Sequence, residues 1–177
     1  MECCQTTERG ERPDGPRDAQ HPGAGARRPL IRAATPPDLP RILELLGAAG
    51  LPEQGVGECL DSFQLGIVEG VVVGCAAVEA RGHHGLLRSV VVDPGARSAG
   101  VGRRLCTRAI DAARVEGRTQ LYLLTTSAAG FFSELGFSEI PRDQAPLAIR
   151  ETREFSTICP GDATLMFRSL DEDRSAR

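Results

Sequence analysis

The stretch from Leu86 to Gly117 constrains the fold most. Leu86 to Val92 is an apolar run broken only by Arg88 and Ser89. A run of that length and composition reads as a strand buried on both faces. Asp93-Pro94-Gly95 stops it. A helix then runs from Gly100 to Glu116, with Val101, Leu105, Ala109 and Ala112 as one stripe and Cys106, Ile110 and Ala113 beside it. Arg103, Arg104, Thr107, Arg108, Asp111 and Arg114 take the other side, and Gly117 ends the helix. A second apolar strand follows at Leu121 to Thr125. A strand, a crossover helix and a second strand make a parallel pair.

The turn between strand and helix is a site in its own right. The first N–H groups of a helix have no partner within it. They point outward together, and the helix dipole adds partial positive charge. An anion fits there, a phosphate best of all. Gly100 and Gly102 carry no side chain, so an anion can reach the backbone. Arg103 and Arg104 place cations in the first turn. They oppose a bare helix N-terminus and favour one that holds a pyrophosphate. The loop Arg97-Ser98-Ala99-Gly100-Val101-Gly102 is neither GxxxxGK[ST] nor GxGxxG. A nucleoside-triphosphate loop is therefore excluded and a dinucleotide fold disfavoured.

The other elements surround this unit. Leu30 to Ala34 is a short strand. Thr35 with Pro36-Pro37-Asp38 starts a helix on which Leu39, Ile42, Leu43 and Leu46 recur at helical spacing. Residues 51–62 form a loop with one helical turn near Glu58 to Asp61. Phe63 to Glu69 and Val71 to Ala80 are strands joined at Gly70. Gly82-His83-His84-Gly85 makes the next turn. Ala128 to Leu135 is a short helix closed by Gly136; Phe137 to Ile140 and Ala163 to Leu170 are strands. The segment 141–162 between them carries one short helix. The order is β-α-loop-β-β-β-α-β-α-β-β. Antiparallel strands followed by a crossover give an α/β (α+β) architecture, a mixed sheet with helices on both faces.

Bulk properties set the boundaries. A chain of 177 residues suggests one domain with a sizeable core. Residues 1–29 hold five acidic and five basic residues and almost no large apolar ones. Burial cannot offset their ordering entropy, so they read as a disordered tail. The domain spans 30–170, with a C-terminal tail at 171–177. A net charge of −3 argues against nucleic acid as a partner. No apolar run approaches the ~20 residues of a membrane span, and no secretory signal is visible, so a cytoplasmic protein is expected. All 21 basic residues are Arg, which weakens any single Arg as a sign of anion recognition. The six Cys show no CxxC spacing, and no metal site is expected.

Val90-Val91-Val92-Asp93-Pro94 with Arg97-x-x-Gly100-x-Gly102 resembles the R/Q-x-x-G-x-G/A signature of the GNAT N-acetyltransferases. Ala129-Gly130-Phe131-Phe132-Ser133-Glu134-Leu135-Gly136-Phe137 resembles their second block, A-x-x-F-Y-x-x-x-G-F. The resemblance covers about residues 30 to 170. Leu86-Leu87-Arg88-Ser89-Val90, Leu121 to Thr126, Glu154-Phe155 and Cys159-Pro160 look like the arsenic-resistance subgroup.

The resemblance implies a GNAT-like, mostly antiparallel sheet whose fourth strand splays from the fifth. It implies acetyl-CoA as co-substrate and a small-molecule amine as acceptor, with an arsenical or phosphinic amino acid as one expectation. Val90 and Val92 would offer backbone groups to pantetheine. Arg97, Ser98, Ala99, Gly100, Val101, Gly102 and Arg103 would hold the pyrophosphate, and Phe132 would lie beside the thioester. A homodimer is an expectation from such relatives.

Catalysis needs a base for the amine, a donor for the oxyanion and an acid for the thiolate. Glu79, at the end of its strand, is the candidate base; the competing reading is a solvated carboxylate. His83 and His84 are of a residue type that serves as a general base, but they sit in a Gly-flanked turn. Relatives use the Tyr of F-Y as acid, and here Phe132 stands in its place. Tyr122, the only Tyr, is in mid-strand and reads as packing. That leaves Ser127, Cys159 or no acid. Arg88, on an otherwise apolar strand, needs an anion, which an acidic acceptor would supply. Thr125 and Thr126 are further acceptor contacts. Two other readings compete: an acyl-CoA-binding sensor without turnover, and a thiol-based arsenic-binding protein using Cys59, Cys75 and Cys159.

Overall fold

The computed structural model describes residues 28–158 and 161–171. The expected tails at 1–29 and 171–177 lie outside these residues, apart from 28, 29 and 171.

One seven-stranded sheet forms the centre. Its strands are β1 (Leu30–Ala33), β2 (Phe63–Val68), β3 (Val71–Arg81), β4 (His84–Val92), β5 (Gln120–Thr125), β6 (Ser138–Glu139) and β7 (Thr164–Ser169). They lie in the order β1-β2-β3-β4-β5-β7-β6. Only β4 and β5 run parallel, because a 15-residue helix crosses between them. The helices are α1 (Leu39–Ala48), α2 (Val101–Val115), α3 (Ala129–Ser133) and α4 (Leu147–Arg150).

Alternation along the strands sorts side chains to two faces. Ala76, Val78 and Leu87 point to α2 and α3, where they meet Val101, Leu105, Cys106, Ile110 and Phe132. Cys75, Ala77 and Val91 point the other way, onto Ile42, Leu45 and Leu46 of α1. Leu86 shares that second face but packs with Tyr122, Leu165 and Ile149 of α4. The second face thus carries two apolar clusters side by side, and what lies between them becomes important below.

Several boundaries move. The β3–β4 turn is Gly82-His83 alone; His84 already pairs with Arg81 and begins β4. The helix expected over 128–135 shortens to α3, and the strand expected over 137–140 shortens to β6. The described residues of segment 141–162 hold three helical turns rather than one, at Arg142–Gln144, α4 and Glu154–Ile158. Burial on both faces holds only for the first half of β4. Gly85, Leu86 and Leu87 are buried, whereas Ser89, Val90 and Val92 are half-exposed. The physical reason is that β5 leaves them.

Candidate active site

β4 and β5 pair at His84–Gln120, Gly85–Leu121 and Leu86–Tyr122, and no further. Beyond Leu86 the strands part. Gly85 sits where they are closest: a Cβ there would lie 2.6 Å from Val78 and 2.7 Å from Leu121. Past the last pair, β4 also bulges. Cys75 faces Val91 and Ala77 faces Arg88, so Ser89 and Val90 together oppose Ala76. Ser89 adopts a left-handed φ of 54°, a conformation that costs a non-glycine residue about 1–2 kcal/mol. Its carbonyl accepts a hydrogen bond from the Cys75 thiol at 3.4 Å. A bulge frees backbone groups from the ladder and turns the strand. Here it does so at the mouth of the gap.

The gap is a cleft of about 1710 Å³. Single small-molecule sites span roughly 300–1,000 Å³, so this one has room for more than one small reactant. It passes through the sheet. On the α2 side its walls are Arg97, Gly100, Gly102, Arg103, Phe131 and Phe132. On the α1 side they are Leu51 to Gln54, Arg88, Arg153 and Thr157. Ser89 to Val92 and Leu123 to Ser127 line the middle.

The loop that opens α2 has the geometry of an anion cradle. Residues Pro94–Ala99 form a tight helical turn, held at its start by the Asp93 carboxylate accepting from the Gly95 N–H at 3.0 Å. Gly100 is left-handed, φ 69°, and the α-helix starts after it. No side chain among the described residues caps α2, and its backbone ladder opens with the Arg104 N–H donating to the Gly100 carbonyl at 3.2 Å. The amides before Arg104 are therefore open to the cleft. Gly102 faces the same space; a Cβ there would sit 3.5 Å from Val92 and 3.6 Å from Phe131. Arg97 donates from Nε to the Val92 carbonyl at 3.2 Å, and Arg103 pairs with Glu134. Ser98 and Ala99 contribute backbone to the turn.

The other expected residues divide between the cleft and places away from it. Val90, Val92, Phe132, Thr125, Thr126 and Ser127 all line it. Thr125 is already engaged, its hydroxyl accepting from the Ala128 N–H at 3.0 Å to shape the turn into α3. Tyr122 is buried in the apolar cluster under α4, its hydroxyl donating to Gln120 at 3.1 Å, and burial raises its pKa. His84 packs edge-on against Tyr122, at the closed end of the β4–β5 pair. Cys75 and Cys106 are buried, and burial pushes both thiols up to about 12. A soft-metal or arsenical site needs thiolates, so the grouping of Cys59, Cys75 and Cys159 loses its central member. Cys159 lies outside the described residues.

Glu79 and Arg88 differ most from expectation. Arg88 does not wait for an external anion. It donates from Nη1 to Glu79 at 2.8 Å, pairs through Nη2 with Glu154, and donates to the Gln54 carbonyl at 3.2 Å. Glu79 is held by Arg88 on one oxygen and by Arg81 on the other. It borders a second, smaller cavity of about 390 Å³ rather than the cleft. A carboxylate clamped by two guanidinium groups is poorly placed to leave them for an incoming ammonium, and the reason is electrostatic. Glu154 was not among the expected site residues. It comes from a distant segment, and no periodicity announced it. Arg153, also unforeseen, lines both cavities and forms no ion pair or hydrogen bond with any described residue.

Residues 61–139 match the family model described as acetyltransferase (GNAT) domain. The chain carries a GNAT acetyltransferase domain. The splayed strands, the bulge and the uncapped α2 are the features on which that domain is built here. An amino-acid acetyltransferase from Neisseria meningitidis is 34% identical over 127 residues, which is 66% of this chain and 29% of that protein. One from Pseudomonas putida is 32% identical over 130 residues, 67% of this chain and 30% of that protein. The chain thus spans about three tenths of the length of these curated relatives. Among solved structures, N-acetylglutamate synthase from Neisseria gonorrhoeae, complexed with coenzyme A and N-acetyl-glutamate, superposes with a TM-score of 0.70 at 26% identity, covering 80% of this chain and 35% of that one. Rv2747 from Mycobacterium tuberculosis, in complex with CoA, also reaches 0.70 at 25% identity, covering 80% of this chain and 99% of its own. The two curated relatives are named for amino-acid acetylation, not for arsenic resistance. Among the described residues, no helix is long and apolar enough to cross a membrane.

Proposed function

We propose that the GNAT domain transfers the acetyl group of acetyl-CoA to the α-amine of an amino acid. The observation that carries this reading is the cleft with two mouths. On one side, uncapped amides of α2 and the two glycines suit a pyrophosphate. On the other, Arg153, which pairs with no described residue, offers a guanidinium suited to a carboxylate. Two reactants entering from opposite faces meet between the parted strands.

The chemistry follows from that arrangement. The free amine attacks the thioester carbonyl, a carbon–nitrogen bond forms, and the carbon–sulfur bond breaks. Negative charge develops on the carbonyl oxygen, and a backbone N–H of the bulged β4 is the donor that suits it. Phe132 replaces the usual phenol and is itself buried, so no tyrosine serves the thiolate. Ser127 at the cleft is the proton donor we assign; a CoA thiol is acidic enough to leave without one. Arg97 and Arg103 stand where they add charge opposite the phosphates, with Ser98, Ala99 and Val101 supplying backbone, while Val90 and Val92 offer groups to pantetheine. Thr126 flanks the acceptor. The relatives named as amino-acid acetyltransferases support a carboxylate-bearing acceptor, and an arsinic or phosphinic amino acid remains a narrower form of the same class.

A second reading is an acyl-CoA-binding sensor. The observation favouring it is the missing phenol at Phe132. CoA release measured against a panel of amino acids, with arsinic and phosphinic analogues included, separates the two. Turnover is expected on at least one carboxylic amino acid. CoA binding with no turnover on any amine would move the assignment to the sensor.

A further inference from the structure

On the α1 face, a polar knot fills the space between the two apolar clusters. Glu79 from β3, Arg88 from β4 and Glu154 from the π-helical turn Glu154–Ile158 meet there. Two carboxylates share one guanidinium. Arg88 is 7% exposed and the Glu154 side chain 8%. Arg88 holds Oε1 of Glu154, and its Oε2 is buried with no hydrogen-bond partner among the described residues. An orphaned carboxylate oxygen is costly unless it receives a donor at some point in the working cycle.

The position of Glu154 is held from several sides. Thr152 is fully buried; its hydroxyl donates to the Ile149 carbonyl at 2.7 Å and accepts from the Phe155 N–H at 3.3 Å. Arg142 donates to the Phe155 carbonyl at 3.2 Å and stacks over the Phe155 ring at 4.5 Å. A π-turn in a short helix is itself an uncommon conformation that often marks a working site. Like Glu79, Glu154 borders the smaller cavity and not the cleft, and the two cavities share walls at Gln54, Arg88 and Arg153. Unlike Glu79, whose two oxygens are both held by arginines, Glu154 keeps one oxygen that no cation among the described residues holds.

We propose that Glu154, through its unpartnered Oε2, is the group that takes the proton from the acceptor's ammonium. The proposal rests on the acetyltransfer reading above. An amino acid whose carboxylate meets Arg153 presents its ammonium one residue along, towards Glu154. Glu154 removes one proton; the amine then attacks the thioester; the second proton passes from the nitrogen through Ser127 to the departing sulfur; and Glu154 returns its proton to solvent. Arg88 is the positioning residue, and Glu79 with Arg81 holds Arg88 from behind. The charged and titratable groups that share the cavity of Glu154 are Glu79, Arg81 and Arg88 from the sheet, Glu58, Cys59 and Asp61 from the Gly57–Ser62 turn, Glu116 after α2 and the neighbouring Arg153. Burial raises the pKa of Glu154, with Glu79 adding to the rise and Arg88 opposing it. A raised carboxylate is a better base near neutrality.

The test is the pH profile of kcat/KM for wild type and Glu154→Gln on one accepted amino acid. General-base assistance supports a loss of about 10²-fold or more at neutral pH. That loss should shrink as pH rises and free amine becomes abundant, with KM for acetyl-CoA unchanged. Glu79→Gln should lower the rate less and leave the profile's shape intact. Added formate should restore part of the rate of Glu154→Ala, whose folding is checked by acetyl-CoA binding. A Glu154→Gln loss that is equal at all pH values, or no loss, would overturn the proposal while leaving acetyltransfer standing. Absence of wild-type turnover on every amine would overturn both.

Discussion

Gly102 lies one residue into α2, where it lines the cleft and its Cβ position is unobstructed: the nearest atoms would be at 3.5 Å. Valine there adds helix propensity over glycine but puts methyl groups where a phosphate oxygen must approach. Charge-assisted hydrogen bonds are each worth about 1.5–3 kcal/mol. Gly102→Val should therefore weaken CoA binding at least about tenfold, measured by calorimetry, with the melting temperature within about 3 °C of wild type. Unchanged affinity would remove the α2 N-terminus as the phosphate site. Gly100→Val tests the same idea less cleanly, since φ is 69° there and a β-branched residue adds strain. This loop was legible in the sequence because its parts are contiguous. Glu154 was not, because its significance comes from Arg88 and Glu79, each more than sixty residues earlier, and only the packed sheet brings them together. The same packing explains why Arg88 read as a lone cation seeking substrate.

At the scale of elements, the start of α1 is tied to β1 by a single carboxylate. Asp38 accepts from the Thr35 N–H at 2.8 Å and the Thr35 hydroxyl at 2.7 Å, and takes both arms of Arg32 at 2.7 and 2.8 Å. The Arg32 guanidinium, with the Thr35 bonds, holds its carboxyl well below the usual range. A depressed carboxylate contributes stability that is complete above its unfolded pKa, about 3.9, and is lost as pH falls below that value. Asp38→Ala should cost about 1–2 kcal/mol at pH 7, a drop of roughly 2–8 °C in melting temperature. The gap between variant and wild type should narrow at pH 3. A gap as wide at pH 3 as at pH 7 would show that the loss is not electrostatic. The helix start was readable from Thr35-Pro36-Pro37-Asp38, but the pairing with Arg32 was not, since a strand end and a helix start have no common period. The β4 bulge was equally hidden: Ser89 is an ordinary strand residue by composition, and only the register places it opposite Ala76.

The whole molecule is two half-sheets meeting along a short seam. β1 to β4 carry α1 and α2, β5 to β7 carry α3 and α4, and the seam between them is three residue pairs long. A ligand lying in the cleft touches both halves, from Gly100, Gly102 and Val90 on one side to Thr126, Phe131 and Phe132 on the other. Such a ligand binds the folded protein and has no counterpart site in the unfolded chain, so mass action stabilises the fold by about 2.7 kcal/mol at a hundred times Kd. For a domain of this size that predicts a rise of roughly 5–11 °C in melting temperature with saturating CoA. The rise should fall to about half or less in Gly102→Val at the same CoA concentration, because a Kd at least tenfold higher leaves about 1.4 kcal/mol or less. It should persist undiminished in Glu154→Gln, whose change lies on the acceptor's side of the sheet. A thermal scan of the three proteins with and without CoA reads all of this at once. Loss of the CoA-dependent rise in Glu154→Gln would mean that the two mouths are one site, and the separation of phosphate cradle from proton acceptor would fail.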